Sequence, residues 1–364
     1  MTSYNSVKPD RFAWLLGNNF KTIQPPPDSS DFQDACNFGL AEWQALPVFA
    51  NELLNWGGNG SASSYAAEKI RDRIISLNVL GNIQLQIFER IIRGFNLHGV
   101  PYALLKGSAV KFTAYNDPNK RMGKDFDFAI PSSYLHQARQ IVQNCGFIAA
   151  QWDPTKKRFH PADPQLRARV EAQHYELGFL ARRQIVKGLT KEEDDAIRRD
   201  IPSQFIWHIT DEGDLACYIT VDLHHGLSLE VEVEELVKNS KIVKWNGLDI
   251  KVPPPEWILF HLIYKIYWEG VHHYSKGAYQ YADLTRIIPS ITIPVFKRVL
   301  KLLDRFTLQV AGYYVLRRLK SDFNMKLAPE IEKFLGSTEQ PPDNMEPRKL
   351  NDLGDMWPKI WGRR

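Results

Sequence analysis

Asp125 and Asp127 stand one residue apart in the run Asp125-Phe126-Asp127-Phe128-Ala129-Ile130. Side chains on a strand alternate with a period of two, so both carboxylates face one way while Phe126, Phe128 and Ile130 face a core. Hard divalent cations take oxygen ligands, which makes such a pair half of a two-ion site. An isolated Asp-x-Asp is more often a solvated strand edge, and the apolar opposite face is what lifts this one above that reading. Asp222 is a third carboxylate, in a run where Leu215, Cys217, Ile219, Val221 and Leu223 form the apolar face. It therefore shares the other face with Tyr218, Thr220 and His224. Alone, such an Asp is usually a capping or salt-bridged residue. Opposite the Asp125–Asp127 pair, it would complete a metal site beside an attacking hydroxyl.

Lys106-Gly107-Ser108 follows an apolar stretch and opens a helical one. Backbone N–H groups at a helix start favour phosphate, glycine lets a ligand approach the backbone, serine adds a hydroxyl donor, and lysine is a compact positive charge. A tight turn with a surface lysine explains the same residues without a ligand. Arg121 can serve the same phosphates or pair with a neighbouring acid. His224 lies on the Asp222 face as a possible substrate contact. Glu176 either borders that face or is a solvated strand residue.

Other titratable groups carry less. Neighbours on a strand point to opposite faces, so His225 reads as structural beside His224, and the pair His272-His273 is no better placed as ligands. His261 and Glu269 read as core or surface residues of a helix. Lys156-Lys157-Arg158 reads as a solvated loop, or else as a grip on an anionic acceptor such as RNA.

These residues need elements to hold them. A helical pattern over 31–55 repeats Leu40, Trp43, Leu46, Phe49, Ala50 and Leu53 on one face and breaks at Trp56-Gly57-Gly58-Asn59-Gly60. A second helix over 64–97 has the stripe Ile87, Phe88, Ile91, Ile92 and Phe95, with Gly99 at the C-cap position. Short strands are expected over 100–105, 125–130, 174–180, 204–210 and 215–225. A short helix should run from the Lys106 turn to Tyr115, and another from Tyr134 to Asn144. Asp211-Glu212-Gly213-Asp214 and Trp245-Asn246-Gly247-Leu248 read as hairpin turns. The charged stretches 153–172 and 187–200 read as surface insertions between strands. After Pro253-Pro254-Pro255 the chain reads as helical, with Trp257, Phe260, His261, Tyr264 and Trp268 on one face. Further helices are expected over 279–288 and 293–320.

The order of these pieces resembles a known family. The segments LLKGSAVKFTAYNDPNKRMGKDFDFAIP and TVDLHHGLS are similar to the uncharacterised nucleotidyltransferase family of the polymerase-β-like superfamily. That family pairs a Leu-Leu-Lys-Gly turn with a Tyr-x-x-Pro-x-x-Arg segment, an Asp-x-Asp strand and a later Asp-Leu-His strand. Here these are Leu104 to Gly107, then Tyr115, Asp117-Pro118 and Arg121, then Asp125 to Asp127, then Asp222 to His224. The stretch PPEWILFHLIYKIY and Tyr281-Ala282-Asp283-Leu284 resemble its C-terminal helices, so the likeness runs from about Leu40 to Ile288. Asp125 follows Ser108 by 17 positions, longer than in most of the superfamily but shared with this family. The charged stretches between Gln151 and Ser203 are longer than the family's pattern.

The resemblance implies an α/β fold: a small mixed sheet flanked by helices. It also implies transfer of a nucleoside monophosphate from a nucleoside triphosphate to an acceptor, with release of pyrophosphate. Asp125 and Asp127 would bridge two Mg2+ ions, with Mn2+ as an alternative. Asp222 would serve the ion that activates the nucleophile, and Lys106, Gly107, Ser108 and Arg121 would hold the phosphates. A nucleotide-binding protein on the same fold without catalysis, and an RNA-directed transferase, are the rival readings.

The bulk properties fit an ordinary globular protein. Hydrophobic residues make up 44% and charged residues 24% of the 364, enough for two or three domains. The divisions expected are an N-terminal arm and helical region over 1–98, a sheet domain over 99–252, a helical region over 253–336 and a polar tail over 337–364. A net charge of +4 is too small to imply nucleic-acid binding, so a small-molecule acceptor is favoured over RNA. Three scattered cysteines exclude a disulfide framework, and no apolar run reaches the length of a membrane span. A cytoplasmic protein with no membrane partner is the expectation.

Overall fold

The computed structural model describes residues 46–57, 64–153, 155–156, 158–201, 206–228, 230–272, 278–321, 323 and 325–338, together with Cys36, Leu40, Trp43 and Gln44. The triple-proline turn, Lys157, His273 and the polar tail beyond Thr338 lie outside the described residues. Two helices open the described chain, α1 (Leu46–Gly57) and α2 (Ser64–Leu97). A turn at Trp43–Gln44 precedes α1, so the single helix expected over 31–55 is interrupted there.

The chain divides into two compact units. One, Arg71–Pro254, holds the sheet. Its strands are β1 (Ala103–Leu104), β2 (Asp125–Ala129), β3 (Ile148–Asp153), β4 (Arg158–Pro161), β5 (Leu180–Ile185), β6 (Trp207–Ile209) and β7 (Leu215–His224). They form one sheet in the order β1-β2-β7-β5-β3-β4, with β6 also pairing to β7. β2 and β7 are parallel; the other pairings are antiparallel. The mixed helix-and-sheet class expected from sequence is the one observed.

Phe88 of α2 stacks on Phe126 of β2 at 4.7 Å and lies 5.1 Å from Phe112, while Phe95 meets Phe128 edge-on at 5.3 Å. All five residues of the expected α2 stripe are buried. Such ring pairs contribute about 0.5–1.5 kcal/mol each beyond their buried area, and here they fix the back of β2. Gly99 closes α2 with φ +65°, the left-handed conformation that glycine adopts without penalty.

Several expectations need correction. The strand placed over 174–180 is β5, at Leu180–Ile185; before it, Glu176 makes an isolated bridge to His224. Its sequence, Leu-Ala-Arg-Arg-Gln-Ile, lacks a strand pattern, and pairing with β7 holds it in the sheet. The strand over 100–105 shrinks to two residues. The charged stretch after Asp153 is not a plain insertion: β4 extends the sheet beside β3, and helix Pro164–Gln173 follows. The second charged stretch is the helix Lys191–Asp200, opened by a Thr190–Glu193 capping box. It is pinned by Arg73, whose Nε donates to both oxygens of Asp200 at 2.8 Å with both side chains almost fully buried.

A hairpin of Lys241–Trp245 with Leu248–Val252 turns at Asn246 and Gly247, both at positive φ as a type I′ turn requires. The other unit joins the described residues up to Ile70 with those from Pro255 onward. Helix Pro255–His272 packs against Ala278–Ile287, Ile293–Arg305 and Gln309–Ser321. The helix expected over 293–320 is therefore two, broken around Thr307, which sits at φ +57°. Trp257, Phe260 and His261 are buried as expected, whereas Trp268 is 40% exposed. No described helix is long and apolar enough to cross a membrane.

Candidate functional site

Parallel pairing sets the site. β2 and β7 lie side by side with Asp127 opposite Asp222, Asp125 opposite Thr220 and Ala129 opposite His224. The shared face expected for Asp222, Thr220 and His224 is thereby laid against the face of Asp125 and Asp127. Thr220 Oγ1 donates to the carbonyl of Lys124 at 3.1 Å, which ties the start of β2 to β7. Asp127 is 3% and Asp222 6% exposed. Asp125 is less buried than either.

Helix α3 (Lys106–Thr113) begins immediately after β1, with no side chain capping its start. Lys106, its first residue, adopts φ +47°, a conformation that costs energy for any residue with a side chain. The turn is clamped to β2 through Asp127. Leu105 N–H donates to the Asp127 carbonyl at 3.0 Å, and Asp127 N–H donates to Ser108 Oγ at 3.1 Å. Arg121 packs over the glycine of the turn: a Cβ added at Gly107 would meet its guanidinium at 2.9 Å. Arg121 is itself buried and donates from one guanidinium nitrogen to the Met122 carbonyl. Of the four residues expected from sequence to hold phosphates, Lys106 and Ser108 contact Asp127, and Arg121 lies over Gly107 of the same turn.

Lys106 reaches inward. Its ammonium lies 2.5 Å from Asp127 Oδ1 and 3.3 Å from His224 Nε2. His224 Nε2 in turn is 3.0 Å from the same Asp127 oxygen, and its Nδ1 is 3.1 Å from Glu176 Oε2. Tyr175 stacks on the His224 ring, with centroids 6.1 Å apart. His224, expected on the Asp222 face as a possible substrate contact, meets Asp127, and Glu176, expected to border that face or be solvated, meets His224.

These contacts push the titrations apart. Burial, with Asp125 and Asp127 close by, raises the Asp222 carboxyl well above the usual carboxylate range against the pull of Lys106. Burial acts the same way on Asp127, but Lys106 and His224 outweigh it and hold that carboxyl below its ordinary value. Burial opposes the charge on Lys106, yet Asp127, Asp125 and Asp222 together hold its ammonium above the usual lysine value. His224 is lowered by burial and by Lys106, against Asp127 and Glu176. Two neighbouring carboxylates with opposite shifts are what crowded like charges produce.

One oxygen stands out. Asp222 Oδ1 is buried with no hydrogen-bond partner among the described residues, although buried polar atoms are ordinarily paired. Ligand atoms of Asp127, Asp222 and His224 all lie within 4.8 Å of one another, a grouping able to hold a metal ion. Sequence reading missed two features here. His224 joins the carboxylates directly, and Lys111 of α3 is buried beside Arg121, its amine pushed down to about 7 by burial and that arginine. Alternation put His224 on the right face but gave no signal for its contact with Asp127 or for the burial of Lys111, because both arise from packing.

Among curated proteins, none matches this chain significantly. A solved structure, an antigenic nucleotidyltransferase-like protein from Paracoccidioides brasiliensis, is 12% identical over 69% of this chain and 94% of that one. The TM-score is 0.28, too low to add to the fold described above. The sequence model of the family described as uncharacterised nucleotidyltransferases matches residues 31–324, which span the Lys106 turn and all three aspartates. With most of its length and the whole of this site inside that match, the chain belongs to the uncharacterised nucleotidyltransferase family.

Proposed function

We propose that the protein transfers a nucleoside monophosphate from a nucleoside triphosphate to an acceptor nucleophile, releasing pyrophosphate. The observation that carries this reading is the parallel register of Asp127 with Asp222, which sets two buried carboxylates side by side and leaves one oxygen unpartnered. A donor set of three carboxylates with an oxygen in want of a partner fits divalent cations, and Mg2+ is the ion proposed, with Mn2+ as a substitute. Asp125, Asp127 and Asp222 would be the carboxylates that hold the ions. Such ions neutralise charge on the triphosphate and ease deprotonation of the acceptor.

The chain's own residues orient the reactants. The Ser108 hydroxyl accepts from Asp127 N–H and keeps its own hydrogen for a phosphate oxygen. Gly107, lacking a Cβ, lets the Arg121 guanidinium lie over the turn and set a fixed positive charge there for phosphate. His224, held by Glu176 and Tyr175, keeps the Asp127 carboxylate in place. Most of the rate enhancement would come from fixed charges and positioning.

A small molecule is the proposed acceptor, since the net charge of +4 gives little general attraction for nucleic acid. The three cysteines are free thiols, which suits a reducing cytoplasm. The test is mass spectrometry of acceptor mixtures after incubation with each triphosphate and Mg2+. A product heavier by one nucleoside monophosphate, absent with Asp127→Asn, supports transfer. Products formed equally by the variant would refute it.

A further inference from the structure

Lys106 is expected to serve phosphates, yet its ammonium sits among the atoms that suit a metal ion. It bridges Asp127 Oδ1 at 2.5 Å and His224 Nε2 at 3.3 Å, and those two atoms are 3.0 Å apart. The same two residues, with Asp222, make up the metal-capable group. Glu176 Oε2 lies 3.1 Å from His224 Nδ1, placed to hold a proton there and leave the Nε2 lone pair for a metal ion, as a carboxylate does when it orients a ligating histidine. An ammonium and a divalent cation cannot share this space, because like charges a few ångströms apart in a buried site repel strongly. The lysine has a way out: its side chain is 21% exposed, and four methylenes let the ammonium swing while the backbone stays clamped through Leu105 and Ser108.

We propose that the Lys106 ammonium and a divalent cation compete for one place among Asp127, Asp222 and His224, so that cation binding releases Lys106 toward the outer phosphates of the triphosphate. This rests on the metal-dependent reading above. Lys106 is then an internal counter-ion that holds the crowded acids together and passes to the nucleotide when a metal takes over. Metal binding becomes a precondition for the full phosphate grip, which couples the two ligands through one side chain.

The experiment is Mn2+ binding to the chelator-stripped full-length protein, followed by electron paramagnetic resonance without nucleotide. Lys106→Met, which keeps length and loses charge, should bind Mn2+ about tenfold more tightly than the wild type, the least expected from removing an adjacent like charge. Lys106→Arg should show no such gain. Equal or weaker binding by Lys106→Met would overturn the proposal while leaving the metal site intact. Binding by neither protein would instead bring down the metal-dependent reading, and this inference with it. A second measurement needs no variant: pulse acetylation of the wild type, read by peptide mass spectrometry. Modification of Lys106 should rise when Mn2+ is added and fall again with a non-hydrolysable triphosphate. Labelling that ignores Mn2+ would overturn the competition even if the methionine variant failed to fold.

Discussion

At the residue scale, Asp222 carries the sharpest consequence. Its register partner Asp127 is balanced by Lys106 and His224, whereas one Asp222 oxygen has no hydrogen-bond partner among the described residues. On the proposed reaction, nucleotide and one ion would be held by Asp125 and Asp127, and activating the acceptor would need the third carboxylate. Asp222→Asn should therefore keep most triphosphate affinity by calorimetry and lose transfer by a factor on the order of a hundred or more. Affinity and turnover falling in step would make Asp222 a structural residue. His208 offers a test away from the site. It stacks on Tyr218 and accepts from Arg183 Nε at 3.0 Å; burial and that guanidinium push its pKa from 6.5 down to about 4. The unfolded chain takes up this proton near 6.5 and the folded one only near 4, so stability is full above that window and falls as the pH drops through it. His208→Phe should flatten the decline in urea midpoint between those two pH values, and an unchanged slope would show His208 to be uncoupled from folding. The shared face of Asp222, Thr220 and His224 was legible from alternation alone. The Lys106–His224 contact was not, because it spans 118 positions and depends on how two elements dock.

Elements were legible where the pattern is local. Helix Ser64–Leu97 has the bounds its apolar stripe and Gly99 foretold, and both hairpin turns fall where glycine follows a polar residue. The misses share a cause: tertiary contacts decide them. β5 carries two arginines and a glutamine and is held in the sheet by pairing to β7, while Thr307 breaks a helix at positive φ without being glycine. Charge misled in the same way at Lys191–Asp200, which read as an exposed insertion but ends in a buried ion pair with α2. Asp200→Ala would remove the carboxylate that pairs with the buried Arg73 guanidinium and should lower unfolding free energy by about 3–5 kcal/mol, measured by chemical denaturation. A loss within experimental error would show that the helix is only loosely attached.

For the whole molecule, a net charge of +4 on 364 residues bears on the partner. Contacts to a nucleic-acid backbone make binding fall steeply with salt, by about a thousandfold or more between about 50 and about 200 mM for several phosphates. Transfer to a small acceptor should change far less over that range once ionic effects on the triphosphate are matched. A thousandfold loss would point to RNA and to the basic loop around Lys156. The central claim is the bond that is broken. Triphosphates labelled separately at the α- and γ-phosphorus, incubated with Mg2+, acceptors and either wild type or Asp127→Asn, report it directly. The α-label should move to the acceptor and the γ-label should leave as pyrophosphate, with both movements lost in the variant. Transfer of the γ-label to the acceptor, or α-label transfer that survives in Asp127→Asn, would contradict nucleotidyl transfer at this site.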